Sequence, residues 1–193
     1  VIGVVSFWDF NEYSMIPDFS FENYAYLLTS QTTLNVYLNT FKYALLAWFF
    51  TLFIGFVVAY YLVFHIKSSS VQMLLFLVCT VPFLTSNIIR MISWIPLLGR
   101  NGVINSSLQS LGVIEEPLEF LLFSDFSIVL AYVHLYTLFM VIPIFNSMMR
   151  IDKSLIEAAI DMGAKPYEII KDIIIPLSKS GILVGSIFVF TLV

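Results

Sequence analysis

YALLAWFFTLFIGFVVAYYLVF, residues 43–64, runs for 22 residues without a formal charge. About 20 apolar residues in a helix, at a rise of about 1.5 Å each, cross a hydrocarbon core of about 30 Å. Two further stretches satisfy the same length rule, 71–89 with 19 residues and 126–145 with 20. Such segments must be helical, because an isolated strand leaves its backbone groups unpaired in lipid. The sequence therefore predicts an all-α, polytopic transmembrane helical bundle.

The composition of the whole chain agrees with a membrane-spanning protein. Of its 193 residues, 60% are hydrophobic and 11% are charged, and the mean hydropathy is +0.95. A soluble domain has about 45–50% apolar and about 25% charged residues. Two apolar segments at the ends, 1–8 and 181–193, are too short to cross a bilayer, so we interpret them as parts of two more spans. We expect one transmembrane domain over 1–193, truncated at both ends, with about five of roughly six spans represented.

The polar segments between the spans alternate between the two sides of the membrane. Segments 65–70 and 146–180 carry six Lys and Arg residues, whereas segments 9–42 and 90–125 carry three. Loops rich in Lys and Arg stay on the cytoplasmic side of a membrane. The charges therefore predict a multi-pass membrane protein with segment 146–180 in the cytoplasm.

Segment 150–176, RIDKSLIEAAIDMGAKPYEIIKDIIIP, predicts two short helices joined by a turn. Asp152 and Ser154 are both candidate N-caps of the first helix, and Ser154 with Glu157 fits a capping box. Gly163 is expected just after this helix, in the left-handed conformation that glycine adopts easily. A helix with a cap at its start and a glycine corner at its end can transmit a push without bending.

The second short helix is bounded by prolines. Pro166 suits its first position and Pro176 is expected to end it. In the first helix, Ala158 and Ala159 favour the helical conformation and leave a shallow surface. Such a surface can lie close to the backbone of a partner protein.

Segment 146–180 resembles the EAA loop of binding-protein-dependent importer permeases of the ATP-binding-cassette (ABC) family. The pattern begins E-A-A at Glu157, reaches Gly163 after three more residues, and ends I-x-I-P at Pro176, where relatives have Leu at the position of Ile175. In that family the loop forms a coupling helix that docks into a cleft of the cytoplasmic ATPase. The resemblance implies an ATPase-coupling role for Glu157, Ala158, Ala159, Gly163 and Pro176.

The resemblance covers nearly the whole chain and points to the spermidine/putrescine permease branch. The residues that carry it are Leu38-Asn39-Thr40, Pro82-Phe83 with Arg90, LLGRNGVIN at 97–105 and Arg150-Ile151-Asp152. It implies a type I ABC importer permease fold and import of a polyamine such as spermidine or putrescine. The implied partners are a cytoplasmic ABC ATPase dimer, a second permease subunit, a periplasmic or lipoprotein substrate-binding protein, and membrane lipid.

The sequence contains no G-x-x-x-x-G-K-[ST] motif, so we expect another chain to hydrolyse ATP. It shows no spacing typical of metal ligands and no nucleophile elbow. We therefore predict that the chain is not an enzyme, with no catalytic residue, cofactor, metal site or nucleic-acid partner. Three other functions stay open: a secondary transporter or channel that works without ATP, an ABC permease for another small solute, and a membrane scaffold.

Polar residues in the second predicted span are candidates for the solute pathway. Thr85 and Asn87 fit either hydrogen bonds between helices or the pathway itself. Arg90 can snorkel to the outer interface, form an ion pair or line the pathway. His134, inside another span, is either a neutral histidine bonded to a neighbouring helix or a functional group.

Overall fold

The computed structural model describes residues 5–11, 14–17 and 19–193. The backbone contacts divide the chain into two compact units, Val1–Lys42 and Tyr43–Val193. The predicted end of a span at 1–8 lies, for its first half, outside the described residues.

The first unit contains a short antiparallel hairpin followed by a helix. Strand β1 (Asp9–Asn11) pairs with β2 (Ser14–Ile16). Helix α1 (Glu22–Thr29) follows. Ser30 is its C-cap, and the Ser30 N–H donates to the Tyr26 carbonyl.

A long apolar helix leads into the second unit. Helix α2 (Gln31–Tyr60) continues through a π-helical turn (Tyr61–His65), so that 35 consecutive residues are helical. This stretch contains the predicted span 43–64. It is also longer than the span, because the helix begins 12 residues before Tyr43 among polar side chains.

The other elements of the second unit are also helical. In order they are α3 (Ser69–Thr80), a 3-10 turn (Val81–Leu84), α4 (Asn87–Ile92), α5 (Trp94–Leu98), α6 (Val103–Ser110), a 3-10 turn (Glu119–Leu121), α7 (Asp125–Met148), α8 (Lys153–Asp161), α9 (Pro166–Ile169), a π-helical turn (Ile170–Ile174) and α10 (Ile175–Leu192).

Among the described residues, three continuous helical stretches are long and apolar enough to cross a membrane: Gln31–His65, Glu119–Met148 and Pro166–Leu192. A bent pair of helical stretches would make a fourth span. The architecture confirms the predicted all-α, polytopic bundle.

The predicted continuous span 71–89 is wrong. The helical stretches Ser69–Leu84 and Asn87–Ser110 meet at an angle of 89°. Pro82 lies in the 3-10 turn, where it lacks a backbone donor and its ring disfavours a regular α-helix. Thr85 then adopts an extended conformation, with ψ near 149°, and the helix restarts at Asn87.

Helices α2, α7 and α10 pack closely around Met140, which is fully buried. An added Cβ at Gly55 of α2 would lie 2.9 Å from Met140 Cγ, and one at Gly185 of α10 would lie 2.7 Å from Met140 Sδ. Trp48 of α2 donates from Nε1 to the Ser186 hydroxyl of α10 at 2.8 Å. Small residues thus let these helices approach one another, as is common in membranes.

Asn105 holds together the segment that connects the bent pair to α7. Its side chain is fully buried. Nδ2 donates to the Gly99 carbonyl at 3.0 Å and to the Leu118 carbonyl at 3.3 Å, and Oδ1 accepts from the Leu118 N–H at 2.8 Å. One amide therefore satisfies three backbone groups from two loops.

Replacing Asn105 by leucine is expected to destabilise this segment. The substitution keeps a similar volume but removes the side-chain partners of the Leu118 N–H and carbonyl groups, which are partly buried, at a cost of about 2 kcal/mol. The thermal unfolding midpoint of the purified full-length protein in detergent should fall by about 4–8 °C. The exposed neighbour Asn101, changed to alanine, is the control and should leave the midpoint in place. An unchanged midpoint for the leucine variant would contradict the structural role of Asn105.

Candidate functional site

The first helix of segment 146–180, α8, begins at an aspartate cap. Asp152 is the N-cap, and its Oδ1 accepts from the Ser154 N–H at 2.9 Å. The predicted capping box between Ser154 and Glu157 is wrong, because the helix starts before Ser154 and places that residue inside the first turn. The hydrogen bonds from the backbone and then the side chain of Ser154 lower the pKa of Asp152. At pH values above the ordinary pKa of a carboxyl group, the ionised cap therefore stabilises the helix in full. This contribution is lost as the pH falls through the lowered pKa of Asp152.

The end of α8 is a Schellman motif built on Gly163. This residue has φ +85°, as predicted for a glycine just past a helix. Its N–H donates to the Ile160 carbonyl at 2.8 Å, and the Ala164 N–H donates to the Ala159 carbonyl at 3.0 Å. Both bonds satisfy carbonyls at the end of the helix, so the corner has one defined geometry.

The second helix starts as predicted and does not end as predicted. Helix α9 begins at Pro166, and the Glu168 carboxylate accepts from the Lys165 N–H at 2.8 Å. The expected end at Pro176 is wrong, because the chain is helical from Pro166 to Leu192. Pro176 lies in the first turn of α10, where a missing N–H is tolerated, and a π-helical turn precedes it. The last short helix is therefore continuous with a membrane span.

The two alanines of the E-A-A pattern face different surroundings. Ala159 is buried against the bundle, whereas Ala158 and Glu157 are exposed. Ala159 belongs to one apolar cluster that also contains residues of the spans. The buried members of this cluster are Ala59, Leu62, Val63, Met140, Ile144, Phe145, Met148, Ile151, Ala159, Ile169, Ile174 and Val189.

Two cavities flank α8. One, of about 530 Å³, lies toward α7 and α10 and is lined in part by Asp152, Leu155 and Gly181. The other, of about 540 Å³, lies toward the end of α2 and is lined in part by Glu157 and His65. Segment 146–180 and the His65 turn therefore share one end of the bundle, as the charge pattern predicts.

Of the three predicted pathway residues, Arg90 lines a cavity of the second unit. Thr85 donates its hydroxyl to the Pro82 carbonyl of its own turn at 2.6 Å, a bond within one turn. Asn87 accepts from Arg90 through its side-chain oxygen. Arg90 is only 7% exposed and does not snorkel outward. The cavity that it lines measures about 380 Å³.

His134 lines the same cavity as Arg90. Its ring contacts Trp94 edge to face, with the centroids 5.5 Å apart. Within the described chain, no three or more His, Cys, Asp or Glu residues are grouped so that they could hold a metal ion.

Four structural residues were not identified from the sequence. Asn105 was quoted only as part of a family pattern. Gln72 is buried and donates from Nε2 to the Leu62 carbonyl of the π-helical turn at 2.8 Å. Gly181 and Gly185 form a small-x-x-x-small pattern, which is a known signal for close packing of membrane helices and was available in the sequence.

The chain is similar to curated permeases of ABC transport systems, and no family model matches it. It is 34% identical to the spermidine/putrescine transport system permease protein PotB of Salmonella typhimurium (strain LT2) over 171 residues, which cover 89% of this chain and 58% of that protein. It is 34% identical to PotB of Escherichia coli K12, with 89% and 61% covered. The inner membrane ABC transporter permease protein YdcU of E. coli K12 is 26% identical, with 96% and 63% covered.

These similarities, together with the helical bundle, define a polytopic membrane protein of the bacterial inner membrane. The chain belongs to the ABC transporter permeases and lies near their spermidine/putrescine branch. It spans about three fifths of the length of the curated relatives that it matches. The relatives are permeases, a class without enzymatic activity, which confirms the prediction that the chain is not an enzyme.

Proposed function

We propose that the chain is a membrane-spanning subunit of an ABC importer and that α8 couples it to a separate ATPase. The observation that carries this proposal is the division of α8 into two faces. The inner face, with Ala159, packs into the core that the spans share. The outer face is exposed, and both ends of the helix are fixed by the Asp152 cap and the Gly163 corner.

The outer face of α8 has the composition of a docking surface. Leu155, Ala158 and Met162 follow helical spacing, and Leu155 and Met162 are 48% and 82% exposed. Glu157 lies beside them and is also exposed. An apolar strip with a small residue at its centre suits a groove on a partner, because alanine allows the two backbones to approach closely. We propose that this partner is a cytoplasmic ABC ATPase dimer.

The packing indicates which helices would move when α8 is displaced. Closure of the ATPase pair would displace α8, and the displacement would reach α7 through the short link after Met148. It would also reach α10 directly, since α9 continues into that span. The bundle would then alternate its access between the two sides of the membrane.

The proposed solute is a small organic amine. Spermidine and putrescine are the first compounds to test, because the PotB relatives are permeases of spermidine/putrescine transport systems. In this proposal a periplasmic or lipoprotein binding protein delivers the solute, and the pathway runs between this chain and a second permease subunit. Arg90 is the described residue of the predicted pathway set that faces a cavity.

Ala158→Arg tests the coupling role of α8. The transporter is purified with its ATPase, partner permease and binding protein and reconstituted in liposomes. A long charged side chain on the outer face should reduce ATP-driven uptake, measured with spermidine and with 4-aminobutyrate, at least about tenfold. It should also reduce the amount of ATPase that co-purifies, since an unpaired charge in an interface costs about 2 kcal/mol or more. Ser110→Arg places the same charge at an exposed helical position outside segment 146–180 and should leave both unchanged. Unchanged uptake and co-purification for Ala158→Arg would refute the proposal.

The same experiment separates the other functions. A secondary transporter or channel would keep its flux when the ATPase is omitted. A scaffold would bind a partner through α8 but show no flux that depends on it.

A further inference from the structure

A buried arginine lies in a mostly apolar cavity of the second unit, which His134 and Thr137 also line. The cavity of about 380 Å³ is bounded by α2, the Pro82 turn, the α4–α5 region and α7. Of the described residues that line it, Arg90 is the one with a permanent charge, and none is acidic. At 7% exposure its side chain is withdrawn from the surrounding solvent and lipid.

The guanidinium group of Arg90 is only partly satisfied. Nη2 donates to the Asn87 side-chain oxygen, and Cζ lies 5.9 Å from the centroid of the Phe83 ring. Nε is buried and has no hydrogen-bond partner in the described chain. A guanidinium has five N–H donors in a fixed planar fork, so one amide oxygen and one ring face leave most of this capacity unused.

Arg90 carries a delocalised guanidinium, a group that keeps its positive charge in proteins. A buried cation without a counter-charge is unfavourable, and removal of one partner from a buried pair is costly for the same reason. A negatively charged hydrogen-bond acceptor would therefore stabilise the buried Arg90 guanidinium.

We propose that this cavity is a binding site for an oxyanion, a carboxylate or a phosphoryl group carried by the solute, which completes the hydrogen bonding of Arg90. A planar carboxylate or a phosphoryl group accepts two parallel N–H bonds from a guanidinium. Arg90 lines the cavity with such a group, and its hydrogen bonding is incomplete. The apolar and aromatic walls strengthen this interaction because they keep water away from it.

This inference rests on the proposed role in solute transport and revises the solute proposed above, because spermidine and putrescine carry ammonium groups alone. A solute with ammonium groups alone would leave Nε without a partner and would be repelled by Arg90. An amine that also carries an oxyanion would satisfy the site. An acidic side chain from outside the described residues would offer the same chemistry to Arg90, and the test below separates the two sources.

Cys79 provides a reporter inside the cavity. It is the single cysteine of the chain, it is partly exposed, and it lines the same cavity as Arg90. The full-length permease, assembled with its partners in lipid nanodiscs without ATP, is treated with two methanethiosulfonate reagents of similar size. One carries a sulfonate and the other a trimethylammonium group. Each rate of modification at Cys79 is measured by mass spectrometry and divided by the rate of that reagent with a small free thiol.

The expected result is a preference for the sulfonate reagent of about tenfold, because a cavity lined by one sign of charge concentrates the opposite sign. Arg90→Gln should abolish the preference, and Cys79→Ser should abolish the modification. Arg100→Gln is the matched control, since Arg100 is an exposed arginine, 3.8 Å from Glu119, and should leave the preference unchanged. Free 4-aminobutyrate should slow the sulfonate reagent, whereas putrescine, which has an ammonium group in place of the carboxylate, should not.

Four outcomes would overturn the proposal. They are equal normalised rates for the two reagents, a preference that survives Arg90→Gln, no modification by either reagent, and a new preference for the cationic reagent in Arg90→Gln. The last would reveal an acidic side chain that pairs with Arg90 in the assembled protein. Because the measurement requires neither ATP nor uptake, each of these outcomes leaves the coupling role of α8 to be judged by its own experiment.

Discussion

Gly163→Pro is expected to abolish ATP-driven uptake while the permease still assembles in the membrane. Gly163 has φ +85°, whereas a proline ring fixes φ near −65°. Proline also removes the N–H that donates to the Ile160 carbonyl. The corner between α8 and α9 cannot form in this variant, at a local cost of about 3 kcal/mol. The measurement is uptake by the transporter reconstituted in liposomes, with assembly checked by size-exclusion chromatography.

Gly163→Asn is the matched control for this variant. Asparagine adopts the left-handed conformation more readily than other residues with a side chain, and it keeps the backbone N–H. A side chain at this position has room, because an added Cβ meets no atom within 4 Å. Uptake by the asparagine variant should stay close to that of the native protein. Equal uptake by the proline and native proteins would show that the corner has no part in coupling.

Gly181→Val is expected to force α7 and α10 apart and to lower the stability of the bundle by about 3 kcal/mol or more. An added Cβ at Gly181 would lie 2.3 Å from the Pro143 carbonyl oxygen and 2.6 Å from Ser147 Cβ. Neither atom can rotate away, because one belongs to the backbone and the other is attached directly to it. The thermal unfolding midpoint of the purified full-length protein should fall by about 6–12 °C.

The neighbouring substitution Ser180→Ala controls for changes in helix surface without a clash. Ser180 is exposed and loses only a hydroxyl contact with Ser147 of 3.2 Å. The thermal unfolding midpoint of the alanine variant should stay within about 2 °C of the native value, since an exposed hydrogen bond contributes little to stability. A valine variant that unfolds at the native midpoint would mean that α7 and α10 do not approach each other at Gly181.

The parts of the fold that follow local rules could be predicted from the sequence. Long apolar runs place the spans, because the length needed to cross lipid is fixed by the helical rise. The left-handed corner at Gly163 and the start of α9 at Pro166 follow from the conformational limits of glycine and proline alone. These features do not depend on which distant segments of the chain pack against them.

The remaining features depend on contacts that are distant in the sequence. The partners of Asn105 come from Gly99 and Leu118, which a pattern along one helix does not bring together. The inward direction of Arg90 depends on the bend after Leu84, which turns α4 by 89°. Pro176 was expected to end a helix, but a proline in the first turn of a new helix is equally compatible with its chemistry. Local sequence leaves such choices undetermined, and the tertiary packing decides them.

The buried face of α8 connects this helix to several membrane spans at once. Ala159 shares one dry core with Val63 of the turn after α2, Met148 of α7 and Val189 of α10. Closely packed interiors have low compressibility, so a displacement of one member is passed to its neighbours rather than absorbed. A load applied to this one short helix would therefore be divided among three membrane spans at once. If α8 couples to an ATPase as proposed, one mechanical contact at this helix would be enough to move the bundle as a unit.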